Sequence, residues 1–132
     1  MKLTIFDTAH GFCSYIIADN HNVMLIDCGH DVENGFAPSV WLSNNGCSGI
    51  ERFIVGNYDE DHLADLQNIR ELGVASLQRN KSLTSAQLRE IKEKSGPISE
   101  AMKSMLEMID QYVGPVAPAI DFGQIETTAL CN

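Results

Sequence analysis

Over residues 2–7 the apolar Leu3 and Ile5 alternate with Lys2, Thr4 and Phe6, and a period of two marks a strand. Gly11 interrupts the run. An apolar, partly β-branched stretch resumes over residues 12–18, and a third, over residues 23–27, stays apolar until Asp27. Between these two stand Asp19, Asn20, His21 and Asn22, of which Asp and Asn tolerate positive φ and bond their own backbone, so the flanking strands are predicted to pair as a hairpin. The period then changes. Pro38 suits the first turn of a helix through Trp41 and Leu42, closed in left-handed fashion by Asn44, Asn45 and Gly46. Residues 52–55 read as a short buried strand and 56–60 as a loop. Residues 61–72 read as a helix with Leu63, Leu66, Ile69, Arg70 and Leu72 spaced for one face, stopped by Gly73. Another strand is predicted over 74–78. Thr84 and Gln87 have capping-box spacing and open a helix to about Lys94. Ser95, Gly96 and Pro97 break the chain before a last helix striped by Ile98, Met102, Met105, Leu106 and Ile109.

Three strands followed by alternating helices and strands predict an α/β fold bordering on α+β, a mixed sheet with an N-terminal hairpin and helices packed on it. A length of 132 residues makes one domain, 1–132, with 114–132 as a stiff linker and a last strand over 124–130.

Composition narrows the partners. With 9 basic and 18 acidic residues the formal net charge is −9, which repels phosphate backbones and anionic lipids, so neither nucleic acid nor membrane is expected as a partner. No apolar run approaches the roughly 20 residues of a membrane span. Asp7 arrives before a signal-peptide core can form, so the cytoplasm is the expected compartment. Cys13, Cys28, Cys47 and Cys131 lack metal-ribbon spacing and read as small buried hydrophobes; Met102, Met105 and Met108 read as core or groove.

Chemistry in such sheets gathers beyond the carboxyl ends of the strands. Three loops there carry unusual polar residues: 7–11 with Asp7 and His10, 27–30 with Asp27 and His30, and 57–62 with Asp59, Asp61 and His62. His21, in the hairpin turn, reads as a solvated turn residue.

The run Ile26, Asp27, Cys28, Gly29, followed about thirty residues later by Asn57, Tyr58, Asp59, Glu60, Asp61, His62 and Leu63 to Leu66, resembles the N-terminal half of the metallo-β-lactamase fold superfamily. Phe6 to Gly11 look like the Gly-rich first loop of the same proteins. The resemblance implies one half of an αββα sandwich. The family motif is His-x-His-x-Asp-His, and here Asn57, Asp59, Asp61 and His62 hold those positions, so the first two histidines are replaced. Family enzymes draw further ligands from a C-terminal half, which would begin where this chain reaches Asn132.

Two functions follow as expectations. One is a truncated, metallo-β-lactamase-like protein without hydrolase activity, a dimerising or interaction module. The other is a metal-dependent hydrolase with a degenerate one-metal site, in which Asp59, Asp61 and His62 converge on a single divalent zinc, manganese or iron and Asp59 takes part in catalysis. Asp27, His10 and His30 would then add ligands or brace the loop. A single half exposes one apolar sheet face, expected to be covered by C-terminal helices or by the second copy of a two-fold homodimer. Plainer readings stand beside these: Asp61 as a helix N-cap, Asp59 and Glu60 at the positive end of that helix, Asp27 accepting the amides of Gly29 and His30, and His10 and His30 as loop residues.

Overall fold

A computed structural model describes residues 1–113, 120–123 and 125 of the chain. The elements are β1 (Lys2–Ile5), β2 (Ser14–Ile17), β3 (Val23–Ile26), α1 (Pro38–Asn44), β4 (Arg52–Ile54), a 3₁₀ turn (Glu60–His62), α2 (Leu66–Leu72), β5 (Leu77–Gln78), α3 (Ser85–Glu93) and α4 (Glu100–Gln111). One sheet runs in the order β1-β2-β3-β4-β5. The first three strands pair antiparallel and the last two join in parallel, so the fold is α/β with a mixed sheet. Connection length explains the change. A tight turn joins β2 to β3, with Ala18 N–H donating to the Asn22 carbonyl at 2.9 Å and His21 in the left-handed region at φ 67°. The path from β3 to β4 instead passes through α1 and returns parallel.

Alternation gives the sheet two faces. Paired positions Tyr15, Leu25, Phe53 and Leu77 form a row across one of them and are buried. That face packs on Leu42 of α1, Leu66 and Ile69 of α2, Leu88 of α3, and Met102, Met105, Leu106, Met108 and Ile109 of α4. The predicted stripe of the last helix is thus its core face, and its methionines are core. The α3 capping box forms, and Ser99 Oγ accepts the Met102 N–H at 3.1 Å to open α4.

The other face carries Leu3, Ile5, Ile16, Met24, Ile26 and Ile54. Ile120, Phe122 and Ile125 pack over Ala18, Ile16, Met24 and Ile54. Asn20 Nδ2 and Asn22 Nδ2 hold this cover through the Asp121 carbonyl, at 2.8 and 2.6 Å, and the Arg52 guanidinium lies 5.3 Å from the Phe122 ring centroid. The helices therefore take one face, while residues around Phe122 shield part of the opposite one. Leu3 remains 53% exposed and Ile5 64%.

Residues 61–72 do not form one helix. A continuous helix needs the His62 carbonyl for the Leu66 N–H, but Cys28 N–H takes that carbonyl at 2.8 Å, and Leu66 N–H turns to Leu63 at 3.0 Å. The segment divides into the 3₁₀ turn and α2. Asp61 accordingly caps no helix: Asp59 precedes the 3₁₀ turn and Asp65 precedes α2. The strand predicted over 74–78 shrinks to β5 plus a bridge between Val74 and Ile50. The predicted linker over 114–118 lies outside the described residues, as does the last strand over 124–130 apart from Ile125. Among the described residues no helix is long and apolar enough to cross a membrane.

Candidate functional site

Strands β1, β3 and β4 run in the same direction, so their carboxyl ends share one edge of the sheet and bring the three polar loops together. The approach is close. A Cβ on Gly11, whose φ is +80°, would collide with the Asp61 carbonyl oxygen, and one on Gly29 would lie 2.6 Å from the same atom. Only glycine lets the first two loops close over the 3₁₀ turn.

Asp27 occupies a β-bulge. Ser14 faces Ile26 across β2 and β3, and one link further Gly29 N–H donates to the Phe12 carbonyl at 2.9 Å. Cys13 alone on one strand therefore opposes Asp27 and Cys28 on the other. Asp27 takes φ 53° and turns its N–H to the Ile54 carbonyl of β4. The bulge aims its carboxylate across the parallel pair. Oδ1 accepts the Gly56 N–H at 2.7 Å and Oδ2 lies 2.8 Å from His62 Nδ1, with Asp27 only 3% exposed. The amide it takes is thus that of Gly56, not those of Gly29 and His30; Gly29 gives its N–H to Phe12. An ionised carboxylate only accepts, so Nδ1 is the donor in this contact, which in a neutral imidazole leaves the lone pair on Nε2. The half-buried imidazole is held in one orientation.

The acids of the same loop point elsewhere. Asp59 Oδ1 lies 3.6 Å and Glu60 Oε2 3.3 Å from Lys92 Nζ on α3, and the Lys92 side chain is 16% exposed. Asn57, at the first motif position, accepts the Asp59 N–H with its side-chain oxygen at 3.0 Å. Asp61 is exposed and contributes its backbone carbonyl to the packing beneath Gly11 and Gly29. His10 is exposed and His30 half-buried. Among the described residues no three His, Cys, Asp or Glu side chains gather where they could hold a metal ion. A catalytic zinc takes three protein ligands, and as folded Asp59, Asp61 and His62 do not present that donor set.

Two contributors were not singled out from the sequence. Asp65, 3% exposed, accepts the Ser39 N–H in the first turn of α1 at 2.7 Å and the Asn68 amide at 2.8 Å. Its Asp-x-x-Asn spacing was the available signal for the second contact. Lys92 had none, because the partner loop lies about thirty residues away in the chain. Beneath the site Cys13 and Cys28 are fully buried. Burial, aided by the charges of Asp27 and Asp65, pushes the Cys13 thiol up to about 12; burial also holds Cys28 well above its ordinary value. Neither is a ready nucleophile.

No family model, curated protein or solved structure matches the chain.

Proposed function

We propose that this chain is an interaction module with a metallo-β-lactamase-like architecture and no hydrolase activity of its own, pairing with a second copy through β1. The architectural part of the reading rests on residues 6–11, 26–29 and 57–66. The non-catalytic part is carried by one observation: three of the four motif side chains, those of Asn57, Asp59 and His62, are engaged by neighbours within the fold. Lys92 clamps Asp59 and Glu60, and Asp27 binds His62 at Nδ1.

Support for pairing comes from the sheet edge. Phe6 N–H bonds inward to the Cys13 carbonyl at 3.1 Å, so by alternation the N–H and C=O groups of Leu3 and Ile5 face away from β2. Among the described strand residues, theirs are the exposed large apolar side chains on this face. Edge strands are usually blunted with charge or proline, and Lys2 is the only charge in β1. A two-fold antiparallel contact would pair these groups and gather Leu3 and Ile5 of both copies.

A second reading, the one-metal hydrolase, is favoured by the Asp27–His62 contact. A carboxylate on Nδ1 that leaves Nε2 free is how many metal-bound histidines are oriented. That reading requires Asp59 to leave Lys92. Metal content of untagged protein, measured by mass spectrometry after exposure to Zn²⁺, Mn²⁺ and Fe²⁺ and exhaustive dialysis, separates the two. The interaction module retains no stoichiometric metal. One metal per chain, lost in Asp61→Ala and His62→Ala, would establish the hydrolase reading instead.

A further inference from the structure

The bulge at Asp27 has placed two cysteines face to face. Cys13 and Cys28 are 15 residues apart in sequence. The link between Gly29 and Phe12 on one side and the Ser14–Ile26 pairing on the other leave Cys28 opposite Cys13 once Asp27 is bulged out. Their backbone groups point away from each other. The Cys13 carbonyl accepts from Phe6, the residue after β1, and Cys28 bonds His62 through its N–H and Asp65 through its carbonyl, at 2.8 and 3.0 Å. In a regular antiparallel ladder, opposed residues that do not bond one another have Cα atoms about 4.5 Å apart, a spacing that a bulge perturbs locally. Disulfides span about 4.4–6.8 Å between Cα atoms. Both side chains lie in the same core cluster at 0% exposure, as free thiols in this structure.

We propose that Cys13 and Cys28 are a disulfide-forming pair, oxidised by glutathione disulfide while the β2–β3 hairpin closes during folding, and that the bond locks the bulge which aims Asp27 at His62. One thiolate attacks a sulfur of glutathione disulfide and expels a glutathione thiolate. The second cysteine thiolate attacks the protein sulfur of that mixed disulfide and expels the other glutathione. The two cysteine protons end on the two glutathione thiolates, and the pair of electrons leaves with them. In the finished fold burial keeps both thiols protonated and shuts out the oxidant, so the folded, reduced protein reacts slowly.

The test is a double variant, Cys47→Ser with Cys131→Ser, unfolded in reducing denaturant and refolded in a buffer of reduced and oxidised glutathione. Free thiols are then capped with N-ethylmaleimide. No Lys or Arg lies between the two cysteines, so cleavage at Asp19 and Asp27 is used to separate them for mass spectrometry. The expected product is a cross-linked peptide pair lacking two hydrogens, with a melting temperature raised by roughly 5–10 °C over the reduced protein. Refolded chains with both cysteines capped, or carrying glutathione alone, would overturn the proposal. Wild-type protein treated alike must give the same bond, and a dominant bond to Cys47 or Cys131 would overturn it equally.

Discussion

The two faces of the sheet come from the same strands by alternation, yet they end up in different surroundings. On one face Tyr15, Leu25, Phe53 and Leu77 lie under helices whose own stripes match them, and the residues around them are nearly all buried. On the other, Met24 is 2% exposed beneath Phe122, while Leu3 and Ile5 of β1 reach 53% and 64%. Burial on the first face rests on long elements with many anchoring side chains. On the second, among the described residues, it depends on a few tied to a hairpin turn by two asparagine side chains. Period-two alternation reveals that both faces are apolar, but what covers each is decided by distant parts of the chain.

Truncation should separate the faces first. Phe53→Ala removes a fully buried ring from the helix-covered face and is expected to cost about 3–5 kcal/mol in urea unfolding; Met24→Ala on the other face should cost nearer 2 kcal/mol. Equal losses would mean that Phe122 and its neighbours protect their face as firmly as the helices do. Gly11→Ala follows, with a destabilisation above about 1 kcal/mol, because the methyl group meets the Asp61 carbonyl at a φ that disfavours alanine.

Alkali should act from the helix-covered side. In the reduced protein the Cys13 thiol loses its proton near 9.0 in the unfolded chain but only at about 12 in the fold. Between those values the unfolded state binds fewer protons, so stability, intact below pH 9, falls as pH rises. Cys28, Tyr15 and Tyr112 are raised in the same direction, each chiefly by burial. Cys13→Ala should therefore make the decline shallower, measured as urea midpoints between pH 8 and 11. An unchanged slope would remove Cys13 as a cause. The smallest effect belongs to the loop. Asp59 and Glu60 are well exposed, so Lys92→Ala should cost at most about 1 kcal/mol, falling further with added salt.

Much of this architecture was legible because its causes are local. The hairpin is announced by Asp19 to Asn22, α3 by Thr84 and Gln87, and the core face of α4 by spacing alone. The three loops at one edge followed from strand direction. Where the reading stopped, the cause lay far off in sequence. The break in the 61–72 segment exists because Cys28 claims the His62 carbonyl, which no property of residues 61–72 reveals. The partner of Asp27 depends on a one-residue bulge, visible only once Ser14 is set against Ile26 and Phe12 against Gly29. Asp59 looks like a donor by its place in a motif, yet its surroundings are set by Lys92 on another helix. Residue type was readable in the sequence, whereas orientation required the fold.

Sedimentation velocity of the wild-type chain at micromolar concentration, beside Leu3→Asp and Ile5→Asp, tests pairing through β1 most directly. These two positions are exposed, so each substitution should change folding stability by less than about 0.5 kcal/mol. A carboxylate at either would place like charges at the centre of a two-fold contact. The account predicts a wild-type dimer, tightened by salt because each copy carries a net charge of −9, and monomeric variants that still fold. A wild-type monomer across that range, or variants that dimerise as well as the parent, would contradict it.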